Sequence, residues 1–201
     1  MEHRALRLIF IELSAAINLV LGSLLTYMSI RVEINQRIYE KRLWQLNPMV
    51  STDPCVRWMF ITEEIRSFLI GPWDSTEDQI RAGVLRAYMD EFSKGNPISL
   101  DLRPYDKNKA VYMAALDPVE DNVFTIRNRD KPSIRVFGSF AKKDVFVATV
   151  WDYRNNLGGP NSKEWRDLRE RSKAVWRQLF NQYQSFSGAT PDDYASKIIP
   201  Q

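Results

Sequence analysis

The chain has 201 residues, 44% of them hydrophobic, with 28 Lys and Arg against 25 Asp and Glu for a net charge of +3. That suits one folded domain with an appendage, and any nucleic-acid footprint has to come from local clustering because bulk charge supplies little. The single cysteine, Cys55, rules out an intramolecular disulfide and fits a reducing compartment; the single histidine, His3, leaves the body of the chain without an imidazole, which excludes Ser-His-Asp and Cys-His catalysis, His-based zinc sites and a His general base within one chain.

Residues 1–30 are expected to form a separate apolar helix. From Leu8 to Ile30 the only charge is Glu12 and the only side-chain amide is Asn18. About 20 predominantly apolar residues span a hydrocarbon core, so this stretch is a candidate membrane segment. Arg31, Arg37, Lys41 and Arg42 follow it, against Arg4 and Arg7 before it. That bias places the body of the protein in the cytoplasm, either free or anchored at the inner membrane. No small-residue cleavage site follows the apolar run. Two other readings stay open: a soluble amphipathic or buried helix, or a segment outside the biological product with translation starting at Met59.

Residues 31–58 read as a connector, helical in its first part through Ile34, Ile38 and Leu43, stopped at Asn47-Pro48 and followed by turn chemistry at Ser51-Thr-Asp-Pro54. Residues 59–201 read as an α+β globular domain, nearly neutral overall. Phe60-Ile61 opens it as a short strand. Thr62 is a candidate cap for a helix that carries Glu63 and Glu64 in its first turn and stops at Gly71-Pro72. Ser75 with Asp78 has capping-box spacing and starts a second helix ending at Gly95-Asn96-Pro97. Ile80, Val84, Tyr88 and Phe92 recur every four residues and are expected to be its inner face.

Ile98–Leu102 and Val111–Leu116 have strand composition. In Val123–Arg127, Phe124 and Ile126 share one face and Thr125 and Arg127 the other. In Ser133–Phe140, Ile134, Val136 and Gly138 share a face while Arg135 and Ser139 point away. Val145–Trp151 is apolar on both faces apart from Thr149, which makes it central. Short polar turns join these runs, so neighbours are expected to be antiparallel. Ser162 caps a helix over Lys163–Phe180, whose inner stripe is Trp165, Leu168, Ser172, Val175, Trp176 and Leu179. Thr190-Pro191 starts a last short helix. The expected architecture is a small antiparallel sheet of about four strands packed with three helices.

Arg127, Arg129, Lys131, Arg135, Lys142 and Lys143 cluster on the hairpin strands and their turns. Pairing puts Arg127 and Arg135 on one sheet face, a patch able to neutralise phosphates; the competing reading is a solvated face with charged turns. Tyr105, Tyr112, Trp151 and Tyr153 are candidates for base stacking or for the core. Asp117, Glu120 and Asp121 are close carboxylates that read as a polar turn before they read as a magnesium site. Arg166, Arg169, Lys173 and Arg177 make a basic stripe on the last helix, which either docks RNA or a protein partner or is simply solvated. There is no phosphate-binding glycine loop and no dinucleotide fingerprint, so no metal and no small-molecule cofactor is implied.

The run FTIRNRDKPSIRVFGSFAKKD, together with the order helix, helix, antiparallel strands, helix, resembles the RelE/HigB superfamily of small bacterial toxins. The resemblance implies an RNA-acting domain whose Arg127, Arg135, Lys142 and Lys143 take phosphate-binding and catalytic roles, with RNA or an antitoxin-like protein as partner. The chain departs from the pattern in three ways. Its Lys-Lys pair precedes the longest apolar strand, its globular part is nearly neutral, and its apolar N-terminal segment has no counterpart. A non-enzymatic interaction module, tethered at the inner membrane and meeting a partner through the basic last helix, is the alternative reading.

Overall fold

The structure, a computed structural model, describes residues 30–103, 111–159 and 162–199. The chain divides into two compact units, Met1–Gln36 and Arg37–Gln201. In the first, residues 30–36 begin a helix, α1, that covers 30–39. The expected apolar helix over residues 1–29 lies outside the described residues. Among the described residues no helix is long and apolar enough to cross a membrane.

The second unit is a mixed seven-stranded sheet with helices on both faces. Its strands are β1 (Trp44–Gln45), β2 (Trp58–Ile61), β3 (Leu100–Asp101), β4 (Met113–Ala115), β5 (Phe124–Arg127), β6 (Ile134–Lys142) and β7 (Val145–Tyr153), in the order β1-β2-β7-β6-β5-β4-β3. The helices are α2 (Glu63–Ile70), α3 (Thr76–Lys94), α4 (Lys163–Phe180) and α5 (Pro191–Tyr194). This corrects the expected four-stranded antiparallel sheet with three helices. The β4-β5-β6-β7 meander is antiparallel, but β2 runs parallel to β7 and β3 parallel to β4. A parallel pair joins residues far apart in sequence, so no hairpin signal announces it. With only two residues each, β1 and β3 are too short to show alternation.

The unit starts at Arg37, so most of the expected connector belongs to the fold. Leu43 and Leu46 are buried, β1 pairs antiparallel with β2, and Arg57 is fully buried. Arg57 sits at the C-terminal end of α3: its Nη2 donates to the Asn96 carbonyl and its guanidinium lies 5.0 Å from the Phe92 ring centre. A chain starting at Met59 would lack all of these contacts.

Local signals set the helix ends. Ser75 accepts from the Asp78 amide at 3.1 Å, Ser162 accepts from the Trp165 amide at 3.1 Å, and Gly95 closes α3 with φ 74°. Thr62 precedes α2 but does not cap it; its hydroxyl donates to the Thr149 carbonyl at 2.7 Å. On α3 the buried side is Ala82, Leu85, Met89 and Phe92, while Ile80 is 58% exposed. A strict four-residue spacing overshoots the 3.6-residue turn, so the face drifts off the core within two turns.

α2, α3 and the C-terminal segment cover one face of the sheet, over Phe124, Ile126, Val136, Phe140, Phe146 and Ala148. α4 covers the other through Leu168, against Val123, Phe137 and Val150. Each buried aromatic contributes ~1.5–3 kcal/mol. At Phe137/Gly138 the β6–β7 register shifts, leaving Thr149 as the extra residue of a bulge. Its hydroxyl lies 3.1 Å from the Phe137 carbonyl and 2.7 Å from Ser172 Oγ. The carbonyl can only accept, so Thr149 donates to it and Ser172 donates to Thr149. Gly138 is required by close approach: a Cβ there would meet the Val147 carbonyl oxygen at 2.2 Å and Ala148 Cα at 2.9 Å.

Candidate functional site

β5 ends, β6 begins and β7 ends at the same edge of the sheet. There Arg127 pairs in register with Arg135, and Arg135 with Asp152. Alternation decides which way they face. Thr125 and Phe137, two residues from the arginines, point to the α4 side, so Arg127 and Arg135 continue that face. Arg154 follows directly: its amide donates to the Ser133 carbonyl at 2.7 Å, its Nη1 donates to the Gly158 carbonyl at 2.5 Å, and its guanidinium lies 5.5 Å from the Trp165 ring centre.

Arg135 is half-buried. Its Nη1 donates to the carbonyls of Asn128 at 2.7 Å and Ile134 at 3.0 Å. Burial, and then the positive charges of Arg127, Arg154 and Arg129, push its pKa down to about 10. It is still protonated at neutral pH, in a field that favours an anion. Among the described residues neither Arg135 nor Arg154 makes an ion pair. Asp152, directly across from Arg135, spends its Oδ1 on the Tyr153 amide and on Asn156 Nδ2, both at 2.7 Å. Asn128 is 2% exposed. Its Oδ1 accepts from the Asp130 amide at 3.1 Å, which fixes the amide orientation and leaves Nδ2 without an acceptor among the described residues.

The other residues singled out in the sequence lie elsewhere. Lys142 ends β6, seven residues beyond Arg135, which is about 23 Å along a strand. Its Nζ lies 5.7 Å from the Trp58 ring centre. Lys143 is in the turn that follows. One phosphate therefore cannot touch both Arg135 and these lysines. On α4 the basic stripe is divided. Arg169 and Lys173 reach Asp121 at 3.4 and 2.7 Å, and Arg169 also donates to the Asp117 carbonyl. Arg166 and Arg177 are exposed. Asp121 is thereby committed to two cations, and no group of potential metal ligands occurs among the described residues.

The aromatic residues are mostly engaged. Trp151 stacks on Phe68 with ring centres 3.8 Å apart, and Tyr112 stacks on Tyr88 at 4.6 Å, its hydroxyl donating to the Tyr88 carbonyl. Tyr153 donates to Asp78 at 2.7 Å; burial and then that carboxylate push its phenol up to about 12. Tyr105 lies outside the described residues. Sequence reasoning overlooked Arg154 and Asn128. A signal for both exists, since each lies one residue past the end of a strand that carries the paired positions.

No family model matches the chain, and no curated protein or solved structure matches it.

Proposed function

We propose that this protein is an RNA-acting, toxin-like domain that holds RNA phosphate at the arginine cluster closing β5, β6 and β7. The observation that carries this reading is the cross-strand pair Arg127–Arg135 with Arg154 beside it, where Arg135 and Arg154 have no carboxylate partner among the described residues. Clustered guanidiniums repel one another, and a phosphate is the ligand that relieves the repulsion while matching their planar donor fork. Arg127 and Arg135 hold the phosphate from the sheet, and Arg154 approaches from the following loop. Lys142 and Lys143 have no part in this site. The alternative, partner binding through the α4 stripe, draws less support because Arg169 and Lys173 are tied to Asp121.

Two measurements test the proposal. Expression in a bacterium is expected to arrest growth, and Arg135→Ala is expected to relieve the arrest. Affinity for single-stranded RNA is expected to fall with salt with a slope of about −0.7 per phosphate contact, and the slope to shrink in Arg135→Ala. Normal growth with the unaltered chain, together with RNA binding that ignores Arg135→Ala, refutes the reading.

A further inference from the structure

Resting on the reading of the cluster as an RNA site, we infer that it seats a phosphomonoester, the terminal phosphate of an RNA strand, in preference to the bridging phosphodiesters along the strand. Three features at the strand ends support this. The first is charge. Arg135 and Arg154 carry no ion pair among the described residues, and the charged neighbours that weigh most on Arg135 are Arg127, Arg154 and Arg129. A bridging phosphate brings one negative charge, whereas a monoester, with its second pKa near about 6, brings close to two at neutral pH. In one positive field the second charge is attracted like the first, so the site discriminates by charge number.

The second feature is the donor inventory. Both hydrogen bonds from Arg135 use Nη1, so Nε and Nη2 engage no described residue and are not buried. The Arg154 hydrogen bond likewise uses Nη1 alone. Two guanidiniums thus retain paired N–H groups, the geometry that grips two oxygens at once. A terminal phosphate offers three free oxygens where a bridging one offers two. The third feature is Asn128, whose carbonyl anchors Arg135 and whose buried Nδ2 is a neutral donor with no acceptor among the described residues. Asp152, across the ladder from Arg135, makes no ion pair with it among the described residues and accepts from Asn156 and the Tyr153 amide.

The test uses the full chain and fluorescence anisotropy with short RNAs of one sequence, prepared with and without a 5′-phosphate and with and without a 3′-phosphate. One phosphorylated end is expected to bind at least about tenfold tighter than its hydroxyl counterpart, and the preference to shrink between about pH 7.5 and about pH 5 as the monoester takes up its second proton. Methyl phosphate is expected to displace RNA at about tenfold lower concentration than dimethyl phosphate, a comparison that needs no variant. Arg135→Ala is expected to abolish the preference, and Arg135→Lys, which keeps the charge without the fork, to lose most of it. Equal binding of all the RNAs, still weakened by Arg135→Ala, overturns the inference and leaves the RNA reading standing. Displacement by methyl phosphate with no RNA binding overturns both, and points to a small phosphorylated ligand.

Discussion

Arg135→Met separates a binding residue from a structural one. Methionine keeps most of the side chain's reach and apolar contact but removes its charge. With its folded pKa at about 10, below the ordinary arginine range, Arg135 holds its proton less tightly in the folded state than in the unfolded chain. Such a base penalises folding wherever both states are protonated, and the penalty fades only as pH rises above about 10. At neutral pH it is present in full. The drop corresponds to about 3 kcal/mol, which partial exposure screens to about 1–2 kcal/mol. Losing the hydrogen bonds to the Asn128 and Ile134 carbonyls offsets about 1 kcal/mol of the gain. In urea unfolding at low salt and pH 7, Arg135→Met is therefore expected to match the wild-type protein or exceed it by up to about 1 kcal/mol. Phosphate at a hundredfold excess over its Kd is expected to stabilise the wild-type protein by about 2.7 kcal/mol and to leave the variant unchanged. A variant destabilised by about 2 kcal/mol that still responds to phosphate would show that Arg135 is a structural residue and refute the electrostatic reasoning.

Two further outcomes test the sheet and its flank. Gly138→Ala drives a Cβ to 2.2 Å from the Val147 carbonyl oxygen inside the β6–β7 bulge, where neighbouring backbone cannot yield cheaply. It is expected to cost about 1–3 kcal/mol in denaturant unfolding, and an unchanged midpoint would mean the bulge is misplaced. The Tyr153 phenol, raised to about 12 by burial and by Asp78, holds its proton more tightly when folded. Its contribution to stability is therefore complete below about pH 10 and lost as pH rises through about 12. The difference in alkaline absorbance titration between the wild-type protein and Tyr153→Phe is expected to show this late phenol, and Asp78→Asn to bring it earlier. A phenol that titrates near about 10 in the wild-type protein contradicts the contact.

What the sequence reveals about this chain is what is decided within a few residues. Ser75 and Ser162 are legible as caps because cap and capped amide are three residues apart. The faces of β5 are legible because Phe124 and Ile126 alternate with Thr125 and Arg127; on β6, Phe137 shares the face of Arg135 and is buried under α4, which alternation alone does not announce. The pairing of Arg127 with Arg135 follows from those faces and a short turn. Distance along a strand is equally legible in principle: Lys142 and Arg135 share a strand of nine residues, and the rise of about 3.3 Å per residue already separates them. Grouping them as one patch treated closeness in sequence as closeness in space.

The parts that escaped are those decided by distant partners. Nothing near β2 announces that it will lie parallel to β7, because the two are joined only through α2, α3 and the meander. Likewise, nothing within α4 announces that Arg169 and Lys173 share Asp121, which comes from a distant turn. A positive run is a candidate site only where the fold fails to supply carboxylates, and that depends on pairings made at long range. At the ends of β5, β6 and β7 the residue across the ladder from Arg135, Asp152, makes no ion pair with it among the described residues and accepts from Asn156 and the Tyr153 amide. The charged neighbours that weigh most on Arg135 are Arg127, Arg154 and Arg129, and this separates the cluster from the α4 stripe, where Asp121 and Glu170 pair with Arg169 and Lys173.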